Sequence, residues 1–196
     1  MFTGIITDIG RVRSVRQTER DRRYEVETTW DTSDIDLGAS VSHAGCCLTV
    51  TEKGAGWFAV EVSGETLSKT TLGDWQEGHR VNLERAVRLG DEMGGHVVSG
   101  HVDGLGEIVS VTLEGGSRRI EVAAPEPLHR FIAAKGSVTV DGVSLTVNAI
   151  EGRRFDVNII PHTLDATTLA GLQAGDRVNL EIDMLARYLA RWQETA

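Results

Sequence analysis

The stretch Gly45-Cys46-Cys47-Leu48-Thr49-Val50 decides the fold, because its pattern returns as Gly142-Val143-Ser144-Leu145-Thr146-Val147, 97 positions further on. Working outward, the match runs without a gap to the ends of the two copies, where Arg80–Glu84 and Arg177–Glu181 both read RVNLE. A period of this length is far longer than a solenoid repeat. The sequence therefore predicts two copies of a whole small domain.

The bulk composition suits two small soluble domains. A chain of 196 residues accommodates two domains of about 90 residues, each near the size at which a core alone suffices. No apolar run approaches the roughly 20 residues of a membrane span, and the N-terminus lacks the pattern of a signal peptide. We therefore expect a cytoplasmic protein that has no membrane partner.

The net charge argues against one class of partner, and the cysteine positions indicate the redox state of the thiols. A net charge of −9 argues against a nucleic-acid partner, since phosphate binding depends on clustered Lys and Arg. The arginines between positions 11 and 23 are interleaved with Glu19 and Asp21, which favours a solvated hairpin over an anion site. Cys46 and Cys47 are adjacent, so an intrachain disulfide between them is disfavoured and free thiols are expected.

Short segments of period-two alternation predict the fold of each copy. In the first copy these strands are expected at 2–15, 24–28, 57–62 and 81–86, with two more between 38 and 50. Six short strands with little helix between them predict an all-β fold, with a small antiparallel barrel closed in Greek-key order in each copy. Closure removes the exposed sheet edges that would otherwise aggregate.

The duplication also predicts the domain boundaries. We expect a first barrel over residues 1–87, a polar linker over 88–95, a second barrel over 96–183 and a C-terminal helix over 184–196. The opening of the second copy, Ser99-Gly100-His101-Val102, matches Thr3-Gly4-Ile5-Ile6.

Two helices are predicted from their patterns. Glu126–Lys135 has Pro127 in its first turn and ends at Gly136. After Asp183, apolar residues recur with helical period. This stripe packs either against the chain's own barrels or against other copies of the chain; it consists of Leu185, Tyr188, Leu189 and Trp192.

Four segments resemble the alpha chain of the riboflavin synthase family. The similarity runs in order from residue 1 to about residue 183 and includes the tandem duplication. The segments are Met1–Ile5, Gly38–Val50, Gly94–Gly104 and Lys135–Asn148.

The resemblance implies a structure and a reaction. It implies two six-stranded barrels and a homotrimer that associates through the C-terminal helix, with its site between neighbouring chains and no cofactor or metal. Two molecules of 6,7-dimethyl-8-ribityllumazine would bind at each site and dismutate. One gives a four-carbon unit to the other, which yields riboflavin and 5-amino-6-(D-ribitylamino)uracil.

Differences between the copies indicate candidate catalytic residues, since two identical substrates must take different roles. Cys47 stands where the second copy has Ser144, and Ile5 stands where it has His101. His101 is the first candidate for proton transfer, and the resemblance places it in the pocket of the second barrel. Cys47 is either a nucleophile or a polar pocket wall. Ser40, Asp141 and Asp183 also match family positions, although Asp183 could instead cap the last helix.

The resemblance also implies a set of residues that bind substrate. Short polar groups beside strand ends suit the edge of a pteridine ring, and the polyol tail needs several donors and acceptors. Lys135 resembles the family lysine that reaches a ligand in the neighbouring chain. The ring-binding candidates are Thr3, Gly4, Ile5, Ile6, Cys47, Leu48, Thr49, Gly100, His101, Val102, Ser144, Leu145 and Thr146. The tail-binding candidates are Glu61, Val62, Ser63, Gly64, Glu65, Thr66, Asn158, Ile159, Ile160, Pro161, His162 and Thr163.

The same residues allow four other interpretations, two of which the sequence disfavours. A metal site built from His43, Cys46, Cys47, His96 and His101 has no spacing typical of zinc. A phosphate loop at residues 94–106 lacks the helix that should follow it. A non-catalytic lumazine- or flavin-binding antenna protein on the same scaffold is the main alternative, and a purely structural oligomeric barrel is a third.

Overall fold

The computed structural model describes residues 1–195 and shows two closed, six-stranded antiparallel barrels followed by a helix. The strands of the first barrel close in the order β1-β2-β5-β4-β3-β6. They are β1 (Asp8–Gln17), β2 (Arg22–Glu27), β3 (Ser40–His43), β4 (Cys46–Gly54), β5 (Trp57–Val62) and β6 (Arg80–Arg85). Helix α1 (Gly64–Lys69) and two single 3-10 turns, Thr32–Asp34 and Thr71–Asp74, connect them.

The second barrel repeats this plan and closes in the order β10-β11-β8-β7-β12-β9. Its strands are β7 (Gly104–Glu114), β8 (Ser117–Ala123), β9 (Ser137–Val140), β10 (Val143–Glu151), β11 (Arg154–Ile159) and β12 (Arg177–Ile182). Two short helices, α2 (Glu126–His129) and α3 (Pro161–Ala166), and the 3-10 turn Thr168–Gly171 complete it. The predicted duplicated barrel fold is confirmed.

Alternation along the strands fills both barrels. In β5, Phe58, Val60 and Val62 are buried, and in β11 the equivalent Phe155, Val157 and Ile159 are buried. The first and fourth strands of each barrel carry a register shift, as between Val12 and Ser14 in β1. Such bulges increase the local bend, which a six-stranded sheet needs in order to close.

Two predicted elements are shorter than expected. The first strand begins at Asp8 rather than Phe2, because the residues before it contact the other half of the chain. The predicted helix Glu126–Lys135 ends at His129. Beyond it the backbone makes i to i−3 hydrogen bonds at Phe131 and Ile132, and Lys135 has a φ of 66°. A helix cannot continue through that left-handed conformation.

The two barrels meet at an approximate twofold axis. Asn82 of β6 accepts a hydrogen bond from Thr168 N (2.7 Å) and donates to Asp141 O (3.0 Å). Asn179 of β12 accepts from Thr71 N (2.8 Å) and donates to Ala44 O (2.9 Å). The shared sequence RVNLE therefore supplies the same interdomain contact twice, once from each copy.

The C-terminal helix α4 (Met184–Thr195) begins where the sequence predicts, and the last residue of the predicted range, Ala196, lies outside the described residues. Its apolar stripe is exposed, with Trp192 at 66% and Leu185 at 74% of their full accessibility. Arg187 and Arg130 link the helix to the second barrel through ion pairs with Asp103 and Glu194. Within residues 1–195, the helices are too short or too polar to span a bilayer.

Candidate functional site

Two short segments cross between the barrels. We call residues 3–6 the first crossing segment and residues 99–102 the second crossing segment. The residues just before them, Phe2 and Val98, pair as an antiparallel bridge with N–H to O distances of 2.8 and 3.0 Å. Each crossing segment then lies against a strand of the barrel encoded by the other half of the chain. Each candidate pocket is therefore built from both copies.

The second crossing segment lies against β4 of the first barrel, and we take it as one wall of that barrel's candidate pocket. Cys47 N of β4 donates to Gly100 O at 2.8 Å, and Val102 packs against the first barrel's core. Gly100 has a φ of 79°, and a Cβ there would lie 2.6 Å from Cys47 Cβ, so only glycine fits. His101 is exposed between these two contacts. The His101 backbone N–H donates to Glu181 of the second barrel at 2.9 Å, while Gly100 O and Val102 on either side of it contact the first barrel. His101 therefore lies where the two barrels meet, and its predicted place in the second barrel's pocket stays a prediction.

The first crossing segment forms the equivalent wall of the second barrel's pocket. Ser144 N of β10 donates to Gly4 O at 2.8 Å, and Ile6 packs against the second barrel's core. Gly4 has a φ of 77°, and a Cβ there would lie 2.5 Å from Ser144 Cβ. Ile5, the counterpart of His101 in this segment, is exposed and lines a cavity together with Trp30 and Arg85. The two pockets thus share a plan and differ in the side chain at this position.

A histidine that the sequence analysis considered only as a metal ligand lies in the second pocket. His96 Nδ1 is 2.7 Å from Ser144 Oγ, and its backbone N–H donates to Thr3 O at 3.1 Å. Burial lowers the pKa of His96 below its ordinary value, while the Asp183 carboxylate acts in the opposite direction. The ring is therefore neutral near pH 7 and can exchange a proton with the Ser144 hydroxyl. The only sequence signal was its place in the Gly94–Gly104 segment that resembles the family.

Strands β4 and β10 present alternate side chains to the pockets. Cys46 and Leu48 are buried in the core, whereas Cys47 is half-buried and Thr49 is exposed. Cys46 therefore faces the opposite side of the strand from Cys47. Burial raises the pKa of the Cys46 thiol to about 12, so it stays protonated and unreactive.

In β10 the same pattern leaves two hydroxyl side chains outside the core. Ser144 is half-buried and Thr146 is exposed, while Leu145 packs against the second core. Because Ser144 alone is hydrogen-bonded to a histidine, the two pockets differ in acid-base chemistry as well as in shape.

The two tail-binding candidates occupy equivalent places and have different local chemistry. Residues 61–66 run from the end of β5 into α1, where Ser63 Oγ accepts from Thr66 N at 3.3 Å. Residues 158–163 run from β11 into α3, where Ile160 at the N-cap position has no side chain that can accept a hydrogen bond. Asn158 Nδ2 donates to Glu114 Oε2 at 2.9 Å.

Three predicted catalytic residues lie apart from these contacts. Asp183 Oδ1 accepts from Leu185 N at 2.9 Å, which is the helix-capping contact considered as its alternative role. Asp141 Oδ1 accepts from Asn179 N at 2.8 Å, in the contact between the barrels. Ser40 opens β3 opposite Thr49. Ser40 therefore shares a face of the sheet with Thr49, and Asp183 lies near enough to His96 for its charge to act on that ring.

The Asp141 carboxyl has an unusual environment. It lines a cleft between the barrels together with Trp75 and His79, and burial raises its pKa to about 7. Its φ is 46°, matching Ala44 in the first copy. These contacts give Asp141 a structural task at the approximate twofold axis.

Lys135 stands in a strained conformation on the surface. Its φ is 66° at the position where the first copy has Gly38, whose φ is 86°. Its backbone N–H donates to Val147 O at 2.8 Å, and its side chain is exposed. A lysine retained where glycine fits better is consistent with a functional side chain.

Comparison with known proteins agrees with this architecture. The family model described as the lumazine binding domain matches twice, over residues 3–86 and 99–183. The chain is 53% identical to riboflavin synthase of Brucella abortus over 97% of both chains. It is 41% identical to riboflavin synthase of Photobacterium phosphoreum, over 97% of this chain and 88% of that protein. The fold is also similar to LumP complexed with riboflavin, with a TM-score of 0.87, 22% identity and coverage of 93% and 99% of the two chains.

Proposed function

The chain belongs to the riboflavin synthase family of lumazine-binding proteins, and from its two unequal pockets we propose that it dismutates 6,7-dimethyl-8-ribityllumazine. It is an enzyme of the riboflavin synthase class. One lumazine transfers a four-carbon unit to the other, which gives riboflavin and 5-amino-6-(D-ribitylamino)uracil. The two products together contain every atom of the two substrates, so the reaction balances without a further reactant.

The single observation that carries this proposal is the crosswise construction of the pockets. Cys47 and the second crossing segment form one pocket, while Ser144 and the first crossing segment form the other. Two identical substrate molecules, of which one donates and the other accepts the four-carbon unit, need two sites of similar shape and different chemistry. The arrangement supplies this difference through His101 on one side and the His96–Ser144 pair on the other.

The reaction requires that the two lumazine rings be aligned and that protons be moved between them and the protein. The C7 methyl group of one lumazine must lose a proton, and the ring of the partner must accept a nucleophile. Holding two rings in reactive alignment can contribute roughly 7 to 11 kcal/mol. Proton transfer by a positioned histidine contributes roughly 10²- to 10⁴-fold. We assign these proton transfers to His96 and His101, and we retain Cys47 as either a nucleophile or a wall of the first pocket.

The predicted tail-binding and supporting residues complete the proposal. Residues 61–66 and 158–163 would hold the two polyol chains in different ways, because their helix ends differ. Ser40 and Asp141 remain candidates whose described contacts are structural. We keep the division into 1–87, 88–95, 96–183 and 184–196 as the domain proposal.

We propose that three copies assemble through α4, with each reaction site formed between neighbouring chains. The exposed stripe on α4 supports association, since its apolar side chains are not buried against the chain's own barrels. The number three rests on the family resemblance. Lys135 would reach the ligand of the adjoining chain. Two free thiols in the chain fit a cytoplasmic location, which we also propose.

Incubation of the purified protein with the lumazine tests the activity. We expect riboflavin absorbance and fluorescence to appear with turnover, at one riboflavin for every two lumazines consumed. A tightly bound lumazine that persists unreacted would contradict the proposal and support a non-catalytic antenna protein. Absence of any pteridine binding in a fluorescence titration would support a structural oligomer instead.

A further inference from the structure

Two buried carboxylates hold the crossing segments in place. Glu84 of β6 accepts from Thr3 N (2.6 Å), Thr3 Oγ1 (2.8 Å) and Gly4 N (2.9 Å). Glu181 of β12 accepts from Ser99 N at 2.7 Å, and from the N–H groups of the next two residues at 2.9 Å. Both side chains are almost completely buried. Each carboxylate therefore organises three donors on a segment that has no strand partner in its own barrel.

Neither carboxylate is neutralised by a basic side chain. Among residues 1–195 the ion pairs do not include Glu84 or Glu181. Burial raises the pKa of both groups, and the converging donors act in the opposite direction. Burial of a carboxylate without a nearby cation costs free energy of folding. The hydrogen bonds that offset this cost come, among the described residues, from the crossing segments.

The segments that these carboxylates hold act on the opposite barrel. Glu181 belongs to the second barrel, yet Gly100, which it binds, accepts the hydrogen bond of Cys47 in the first barrel. Glu84 belongs to the first barrel, yet Gly4, which it binds, accepts the hydrogen bond of Ser144 in the second. The path from each carboxylate therefore ends at the pocket of the other barrel.

We propose that Glu84 and Glu181 are positioning residues that act crosswise, so that Glu181 sets the first barrel's pocket and Glu84 sets the second barrel's pocket. In the proposed reaction, Glu181 holds the segment that carries His101, and Glu84 holds the segment that carries Ile5. This role deepens the proposed function and rests on it for its catalytic meaning. The mechanical coupling itself stands on the contacts of the ligand-free chain.

Glutamine is the informative substitution at both positions. It has nearly the same volume as glutamate, but one acceptor oxygen is replaced by an NH₂ group that faces backbone donors. Glu181→Gln therefore leaves buried N–H groups without an acceptor and loosens the second crossing segment. Glu84→Gln does the same to the first crossing segment, and each variant is the matched control of the other.

Amide hydrogen exchange followed by NMR measures, in the ligand-free protein, how well the Cys47 and Ser144 amides are protected. In Glu181→Gln we expect the protection factor of the Cys47 amide to fall at least about tenfold, with the Ser144 amide changed less than about twofold. In Glu84→Gln we expect the reverse. General loss of stability would lower both protection factors together in each variant, and that result overturns the proposal. Effects confined to the barrel that carries the substitution also overturn it.

A milder variant covers the case in which a glutamine variant fails to fold. Thr3→Val removes the Oγ1 hydrogen bond to Glu84 and the one that Thr3 Oγ1 accepts from Ile5 N, both within the first crossing segment's anchor. The Ser144 amide should therefore lose protection while the Cys47 amide keeps it. Equal losses at both amides would contradict the crosswise role.

Turnover measurements connect the coupling to the reaction. We expect both glutamine variants to reduce kcat at least tenfold. If no variant or wild-type protein makes riboflavin, the proposed function fails, whereas the amide pattern still decides the positioning role. Crossed amide effects with unchanged kcat would overturn the catalytic part of the inference.

Discussion

His96 Nδ1 lies 2.7 Å from Ser144 Oγ, and no described side chain makes an equivalent hydrogen bond to Cys47 in the other pocket. The structure therefore has a histidine–hydroxyl pair at one candidate pocket, and at the other a half-buried thiol whose backbone N–H contacts the segment that carries the exposed His101. Since duplication first made the two pockets alike, this contact is the clearest chemical difference between them.

His96→Gln should lower kcat by at least about 100-fold while changing riboflavin affinity little, because proton transfer is lost and the pocket remains. In the wild type, kcat should fall on the acid side below pH 6.5, because the lowered pKa of His96 keeps the ring neutral until that range. Steady-state kinetics from pH 5 to 8 measure both effects. His129→Gln is the control, since His129 is half-buried in the short helix α2 and its ring Nδ1 contacts Glu126 O. Equal losses of kcat and affinity would make His96 a binding residue.

Separate substitutions of the Ser144 hydroxyl and the Cys47 thiol test the chemical difference between the two pockets. Ser144→Ala should reduce kcat about tenfold or more, because it removes the partner of His96. Cys47→Ser should keep much more activity if Cys47 is a pocket wall, since the hydroxyl is similar in size and polarity. Single-turnover kinetics with each variant separate binding from chemistry. Loss of all turnover in Cys47→Ser, with ligand binding intact, would instead identify Cys47 as a nucleophile.

The duplicated barrel fold could be predicted because identities recur at the same offset in strands, turns and the RVNLE segments. The crossing segments could not be assigned, because Thr3–Ile6 and Ser99–Val102 resemble each other and satisfy either barrel locally. Which barrel each contacts depends on tertiary hydrogen bonds to Cys47 and Ser144. Similarly, the His96–Ser144 contact joins residues 48 positions apart and leaves no periodic signal.

The predicted helix at 126–135 failed for a different physical reason. Two apolar side chains of this segment, Leu128 and Ile132, are nevertheless buried. A series of tight turns buries these two side chains as well as a helix does, and the left-handed Lys135 ends any regular helix. Spacing over a few residues predicts which side chains are buried more reliably than it predicts the backbone that buries them.

Asp141→Asn should stabilise the protein above neutral pH. The pKa of Asp141 is raised from 3.8 to about 7, so its charged form is disfavoured in the folded state. Its contribution to stability is complete below about pH 4 and is lost as the pH rises through 7. Asparagine can still accept from Asn179 N and carries no charge. Urea unfolding of both proteins at pH 4 and 8 should show a clear advantage of the variant at pH 8 and little advantage at pH 4.

The same variant tests the predicted catalytic role of Asp141. If its task is structural, kcat should change less than about threefold. The buried His43 titrates in both proteins, with a pKa lowered to about 4, so its effect cancels in the comparison. A large fall in kcat in a variant that is more stable at pH 8 would instead show that Asp141 takes part in catalysis.

Removing α4 should separate binding from turnover. A chain ending at Asp183 loses the exposed apolar stripe, so we expect a monomer by sedimentation, with two bound riboflavins per chain and turnover reduced at least about 100-fold. Arg191→Gln, on the polar side of the helix, should leave the oligomer and kcat unchanged. Full activity in a clean monomer would show that each chain holds a complete site.

Lys135→Gly should make the protein more stable and less active. Lys135 has a φ of 66°, and a non-glycine residue in this region costs roughly 1 kcal/mol, which glycine avoids. Glycine's greater freedom in the unfolded chain offsets part of this, so we expect urea unfolding to show a net gain of less than about 1 kcal/mol. If the ammonium group reaches a ligand in the adjoining chain, the KM for lumazine should rise at least about tenfold. Lys135→Ala is the matched control, because it removes the ammonium group and keeps the strain, so it should lose the same activity without the gain in stability. An unchanged KM in both variants would remove Lys135 from the binding set and leave its left-handed conformation without a functional reason.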